Sequence, residues 1–422
     1  MLKIYLVGGA VRDRLMGRTV KERDFVVIGT TVEEMLKLGF KPVGKDFPVF
    51  LHPKTGEEYA LARTERKISK GYKGFEFYAD KNITLEEDLI RRDLTINAMA
   101  EDENGQIIDP FAGQKDLEKK VLRHISKAFT EDPVRILRVA RFAAKLDGFK
   151  VASETIKLMK TMVDSGEVDA LVPERVFKEL HRALEEDYPE RFFEVLRKCG
   201  ALKRIFPQID ALFGVPNPVH YHPEIDSGIH TLLALKQGVI LGDHDSVINF
   251  AILAHDLGKI KSPKEDLPKH HGHEENGLPL VKQLCKQLRV PTQYKELAIL
   301  TTKYHGLCHT AQELKPSTLL KLLQALDPFR RPKRFKQFLI ACEADSKGRL
   351  GHENEPYPQA EYMIKMYQAC AKINIQSLIK DVAPNKIPEV IYNERLKVIK
   401  ALKKELSGKE VSEGIRIEGL KD

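Results

Sequence analysis

No apolar run in the 422 residues approaches the roughly 20 needed to span a bilayer, which argues against a membrane protein. Cysteine is scarce and scattered. Cys199, Cys285, Cys308, Cys342 and Cys370 are odd in number and include no C-x-x-C pair. That points away from a disulfide framework or a zinc ribbon and fits a reducing cytoplasm. Met1–Lys3 leads straight into a strand-like segment, so no signal peptide is expected. Internal repeats and low-complexity tracts are absent. Nor is the charge one-sided: 69 Lys and Arg against 61 Asp and Glu leave a net +8. This excess suits a polyanionic partner without requiring one.

The length implies three or four domains, and 42% hydrophobic content is enough for buried cores. The chain is organised around Leu6–Gly29. A short apolar run, Ile4–Val7, ends in Gly8 and Gly9. An amphipathic segment, Val11–Met16, follows, and then a second apolar run, Phe25–Ile28. The pattern is strand, glycine turn, helix, strand. Glycines there let backbone N–H groups approach an anion, and Arg12 can pair with phosphate oxygens. Glu22 and Asp24 are two apart before the second strand, so they share a face. Two carboxylates beside a phosphate cradle suit a pair of divalent ions for phosphoryl transfer.

To about Leu122, short β-rich runs alternate with helical segments. Helix is expected from Val32 to Leu38, and strands at Phe50–His52 and Glu58–Ala62. A flexible loop is expected at Lys67–Phe75, a helix capped by Thr84, and a final hairpin from Asn97–Ala100 to Ile107–Asp109. From Asp132 the pattern turns helical, with Pro133 at a helix start and further helices at Ser153–Val163, Glu174–Glu185 and Pro189–Cys199. Phe206–Pro223, with four prolines, reads as a linker.

Glu131-Asp132-Pro133-Val134-Arg135 opens the helix that carries Arg138 and Arg141 along one side. Aspartate accepts from the exocyclic amino group of cytosine or adenine, and arginine donates to their ring acceptors. Such a helix could select a nucleotide without a template. Together, L-V-G-G-A-V-R-D, K-E-R-D-F-V-V, A-R-T-E-R-K, R-R-D-L-T-I-N-A-M-A, D-P-F-A-G and E-D-P-V-R-I-L-R-V-A-R-F resemble the bacterial class II tRNA nucleotidyltransferases, the CCA-adding enzymes. The likeness runs nearly the whole length and looks closest to the multifunctional gamma-proteobacterial form.

The resemblance implies an α+β fold: a polymerase-β-like head with a mixed sheet, then an all-α neck and body and an α-helical HD domain. The corresponding boundaries are 1–130 for the head, 131–215 for the neck and body, 224–330 for the HD domain and 331–422 for a helical tail. It implies addition of C, C and A to the tRNA 3′ end from CTP and ATP. Glu22 and Asp24 would hold magnesium. Gly9, Arg12, Arg92, Asp132, Arg135, Arg138 and Arg141 would bind the nucleotide, with Gly8, Glu58 and Glu131 as weaker candidates. The family has aspartate at both metal positions, whereas this chain has glutamate at 22, which moves the carboxylate outward by about one bond length.

A second centre is written in histidines: His230 in G-I-H-T, His255-Asp256 in L-A-H-D-L-G-K, then H-H-G-H and His305. Imidazole with carboxylate suits a transition metal. The order resembles the HD-domain phosphohydrolases, which makes His230, His255 and Asp256 the metal ligands, with His271, His273, His305 and Asp345 as further candidates. The resemblance implies phosphatase, 2′-nucleotidase and 2′,3′-cyclic phosphodiesterase activities, with nickel favoured for the phosphatase. Expected partners are the tRNA acceptor arm, CTP and ATP, with no membrane; the chain is read as a monomer or a homodimer. Two alternatives are a poly(A) polymerase sharing the head, and a metal-dependent phosphohydrolase whose head is inactive.

Overall fold

The computed structural model describes residues 2–43, 49–67, 75–78, 80–220 and 223–418; for 64–67, 75–78 and 408–418 only the backbone is considered. Most of the expected loop at Lys67–Phe75 therefore lies outside the described residues. The chain divides into two compact units, Met1–Asp210 and Ala211–Asp422.

The first unit begins with β1 (Lys3–Val7), α1 (Gly9–Leu15), β2 (Asp24–Ile28), α2 (Val32–Lys37), β3 (Lys41–Val43), β4 (Val49–Leu51) and β5 (Glu58–Leu61). A separate hairpin, β6 (Thr64–Lys67) with β7 (Phe75–Tyr78), precedes α3 (Leu85–Leu89), β8 (Ala100–Glu101), β9 (Ile107–Ile108) and α4 (Gly113–Glu118). Seven strands form one mixed sheet in the order β3-β4-β5-β2-β1-β8-β9. The central strand β2 runs antiparallel to β1, with Val7 opposite Asp24, and parallel to β5, with Asp24 beside Glu58. Strand alternation then separates two cores. Val26 packs with Tyr5, Val7, Leu89 and Ala98; Val27 packs with Met35, Phe50, Tyr59 and Leu61. Burial on both faces explains why β2 reads as an unbroken apolar run.

Local signals place the helices. Thr31 and Thr84 each close a capping box, with Glu34 and Glu87 respectively. The expected hairpin is shorter than the sequence suggested: Asn97 belongs to a 3-10 turn, Thr95–Asn97, whose backbone bonds are local.

A two-stranded parallel pair, β10 (Val121–Leu122) and β11 (Lys150–Val151), brackets α5 (Val134–Lys145). The unit ends with α6 (Ser153–Asp164), α7 (Pro173–Leu184), α8 (Pro189–Lys198), α9 (Ala201–Ile205) and α10 (Pro207–Asp210). Proline opens α7, α8 and α10, where its missing N–H costs nothing. Helix α5 packs against both α7 and α8. The linker expected from Phe206 begins instead as α10, so the unit boundary falls inside it.

The second unit is helical: α11 (Ser227–Gly242), α12 (Ser246–Ala254), α13 (His273–Gln287), α14 (Thr292–His309), α15 (Pro316–Leu326), α16 (Pro332–Lys347), α17 (Pro358–Ala371), α18 (Ile375–Leu378) and α19 (Ile387–Glu418). Helix α12 is buried almost all round, because α11, α14 and α16 pack on it. The sequence boundary at 330 gave α16 to the tail, yet α16 packs into this bundle and brings Asp345 with it. Among the described residues, no helix is long and apolar enough to cross a membrane.

Candidate active sites

In the first unit a cavity of about 880 Å³ opens between the end of β2, α5 and α7. Gly8, Gly9, Arg12, Glu22, Asp24, Arg92, Asp132, Arg135, Arg138 and Arg141 all line it. Gly8 has φ +71, and a Cβ there would lie 2.9 Å from Arg92 Nη1. Glycine is therefore favoured by the backbone, and it leaves room for the close approach of that guanidinium.

Asp24 follows from β-sheet register: it opens β2 opposite Val7, beside the turn that begins with Gly8. Partial burial raises its carboxyl above 3.8; Arg92 opposes the rise and Glu22 adds to it. A charged Asp24 beside Glu22 is thus unfavourable without a cation, which is the condition a divalent ion relieves. The donor set is hard oxygen, as magnesium requires. Glu58 sits in register with Asp24 on the neighbouring strand but does not line the cavity. Glu131, which ends the 3-10 turn Lys127–Glu131, does not line it either.

The arginines are more tied down than their spacing suggested. Arg12 is buried and donates to Asn97 Oδ1 at 2.7 Å and Asp13 Oδ1 at 2.8 Å. Arg138 Nε donates to Asp93 at 2.7 Å, and Arg141 Nε to Glu179 at 2.7 Å. Asp132 and Arg135 were expected to act as a pair. Instead Arg135 donates to the Ala128 carbonyl, while both Asp132 oxygens accept from Arg175, at 3.1 and 2.6 Å. Arg175, Arg63, Arg91, Lys145, Lys178 and Arg182 complete a strongly cationic wall. Sequence reading missed Arg175 because the face that α7 turns inward depends on its packing against α5.

Burial alone would raise the Asp93 carboxyl, but Arg138, the Asn97 amide and Arg135 together hold it well below 3.8. A depressed folded value means its stabilising contribution is complete above the unfolded pKa of about 4 and is lost as the pH falls towards the folded value. Asp93→Asn is expected to cost about 2 kcal/mol at neutral pH, discounted because the Arg138 side chain is 36% exposed. Urea melts from pH 7 down to pH 3 would show the deficit shrinking towards the acid end.

The second unit gathers a buried centre. His230, His255 and Asp256 place ligand atoms within 4.8 Å of one another, and so do Asp256, His273 and His305. Backbone carbonyls fix the rings. The Nδ1 atoms of His255, His273 and His305 lie 2.6 Å from Ile252 O, 2.9 Å from His270 O and 3.0 Å from Thr301 O. A carbonyl only accepts, so each Nδ1 carries a proton, and each Nε2 points towards Asp256, free to take a proton or a metal ion. The Nε2 atoms of His273 and His305 are 3.2 Å apart. Neither Asp256 oxygen accepts a well-formed hydrogen bond, although Lys259 Nζ lies 2.7 Å from Oδ2. Acceptors converging on a buried carboxylate fit a bound cation.

Electrostatics agree. Burial opposes charge on His255, but Asp256 and Asp345 lift its pKa well above 6.5. The same field draws either a proton or a metal ion to Nε2. Burial, with His255 beside it, pushes His305 down to about 3, keeping that ring neutral. Burial would raise Asp345, but His255 and His309 hold it well below 3.8.

Asp345 accepts from His230 at 2.9 Å and His309 at 2.7 Å. His271 does not join: it is exposed, and its neighbour His270 bonds Ser262 and the Pro216 carbonyl instead. Lys259 and Glu224, which lies 3.2 Å from His230 Nδ1, went unrecognised in the sequence, and His309 was read only as one of the histidine-rich stretch. Lys259 carries the one signal that was there, falling one turn beyond His255-Asp256.

Residues 4–123 match the family model described as "Poly A polymerase head domain". Residues 148–213 match "Probable RNA and SrmB-binding site of polymerase A", and 228–331 match "HD domain". The Multifunctional CCA protein of Nitrosococcus oceani is 58% identical over 94% of this chain and 98% of its own length. That of Thioalkalivibrio sulfidiphilus is 56% identical over 96% of this chain and all of its own. A solved tRNA-processing enzyme with CTP matches 94% of this chain and 97% of its own, at 25% identity and TM-score 0.59. The Thermotoga maritima CCA-adding enzyme complexed with tRNA matches 96% of this chain and 92% of its own, at TM-score 0.60; at 21% identity the likeness is one of fold.

Proposed function

The chain belongs to the family of multifunctional CCA proteins, CCA-adding nucleotidyltransferases with an HD domain, and from that premise we propose how its two sites work. In the first site, CTP or ATP binds with its triphosphate along Arg92, Arg138 and Arg141, while Glu22 and Asp24 hold magnesium. The observation that carries this reading is an acidic pair facing a cationic wall across one cavity.

Bound magnesium would lower the pKa of the tRNA 3′ hydroxyl and neutralise charge on the leaving pyrophosphate. The protein's own groups do the rest. Arginine forks orient the phosphates, so the 3′ oxygen attacks the α-phosphorus in line with the departing pyrophosphate. Asp132 accepts from the exocyclic amino group of the incoming base, and Arg135 donates to the adjacent ring acceptor. Cytosine and adenine share that arrangement; uracil and guanine present a carbonyl there and are refused. Arg175 holds the Asp132 carboxylate in place. Cationic faces of the helical region grip the acceptor arm through its phosphates.

In the second site, His230, His255 and Asp256 hold a transition-metal ion, nickel being one that imidazole suits, with His273 and His305 completing the shell. Such an ion would supply a metal-activated water. Lys259 and the histidines would hold a phosphate ester for hydrolysis: a phosphomonoester, a 2′-nucleotide or a 2′,3′-cyclic phosphate. A damaged tRNA end could then be cleaned in one unit and rebuilt in the other.

The test supplies tRNA lacking its last three nucleotides, with CTP and ATP together. Growth that stops after C-C-A supports the reading. An unlimited A tract would make the head a poly(A) polymerase, and hydrolysis without any incorporation would make it a silent head on a phosphohydrolase.

A further inference from the structure

Phe142 lies within the arginine cluster. It projects from α5 into the wall of the first cavity and is 5% exposed. Three guanidinium carbons lie over its ring: Arg141 at 4.7 Å, Arg12 at 5.2 Å and Arg138 at 5.7 Å. All three distances are within the ~6 Å reach of a cation–π interaction. Two of these cations come from α5 and one from α1, so the ring is where the glycine-turn helix and the nucleotide-facing helix meet. On the far side each cation has its own carboxylate: Asp13 for Arg12, Asp93 for Arg138 and Glu179 for Arg141.

Three like charges this close repel one another, and their separate carboxylates would pull them apart. The ring's negative face is the shared attraction that keeps them together in the absence of a polyanion. We propose that Phe142 is a positioning residue for nucleotidyl transfer, its π face holding Arg12, Arg138 and Arg141 as a preformed set for the triphosphate. This rests on the reading of the cavity as the nucleotide site. It has a signature that base recognition lacks: the triphosphate is common to CTP and ATP, so loss of the ring's charge distribution should weaken both alike.

The test uses the full-length protein with 4-fluoro-, 3,5-difluoro- and 3,4,5-trifluorophenylalanine placed at position 142. These progressively drain the ring's negative face at nearly constant shape. KM for CTP and for ATP should rise stepwise together, to about tenfold with three fluorines. The kcat, the C-C-A product and the melting temperature should stay close to those of the unmodified protein. Phe142→Leu should raise both KM values at least as far. If Phe142→Leu raises KM while fluorination leaves it flat, the ring only fills space and the proposal fails. If Arg138→Ala and Arg141→Ala leave KM for CTP unchanged, it is the reading of the cavity that fails instead.

Discussion

Asp24→Asn should lower the rate of nucleotide incorporation roughly a thousandfold, the scale expected when several kcal/mol of metal-borne charge stabilisation is removed. Stability should not fall. Asp24 opens β2 at the cavity edge, and its raised carboxyl pKa means the folded state disfavours its charge. For an acid raised on folding, the cost is present above the folded pKa, so a neutral amide is tolerated or slightly stabilising at pH 7. Single-turnover addition of labelled CMP to truncated tRNA, beside a thermal melt, reads both quantities. Retention of more than a tenth of the activity would show that the carboxylate holds no essential ion. Glu22→Asp belongs in the same series. Shortening the side chain by about one bond length should lower the magnesium needed for half-maximal rate several-fold, because magnesium tolerates misplaced ligands poorly.

Asp256→Asn should empty the second site. Both of its oxygens face imidazole nitrogens or Lys259, and it belongs to both clusters of ligating atoms. Transition-metal content by mass spectrometry should fall from stoichiometric to background, and hydrolysis of a 2′,3′-cyclic phosphate roughly a thousandfold. Some instability should accompany the change, about 3 kcal/mol, because Lys259 loses its buried counter-ion. His273→Gln separates the two effects. It removes one Nε2 acceptor without stranding Lys259, so it should weaken metal binding while the melt barely moves. CCA addition should be untouched in both variants. Metal retained at full occupancy by Asp256→Asn would overturn the assignment of this centre.

Much of this was legible in the sequence because it lies in local pattern. Short apolar runs and a glycine turn marked β1, β2 and α1. A capping threonine marked α3, Pro133 marked the start of α5, and α8 was expected to open at Pro189. The HD pair stood at the end of a largely apolar helix. What stayed hidden depends on long-range packing. Arg175 reaches Asp132 across 43 residues and Asp93 meets Arg138 across 45, so neither pairing leaves a spacing to read. Asp345 was put forward by the family resemblance alone; it joins the histidines because α16 packs on α11, and no periodicity within α16 announces it. His270 and His271 show the limit on the other side. In H-H-G-H the three rings are equivalent on paper, and only the turn before α13 decides that His273 faces inward.

That turn, with the carbonyls of Ile252, His270 and Thr301, means the Nε2 atoms of His255, His273 and His305 are aimed by main chain rather than by neighbouring side chains. An engineer could therefore vary the side chains around those three rings to retune which ion the pocket prefers, and the three imidazoles would keep their bearing throughout.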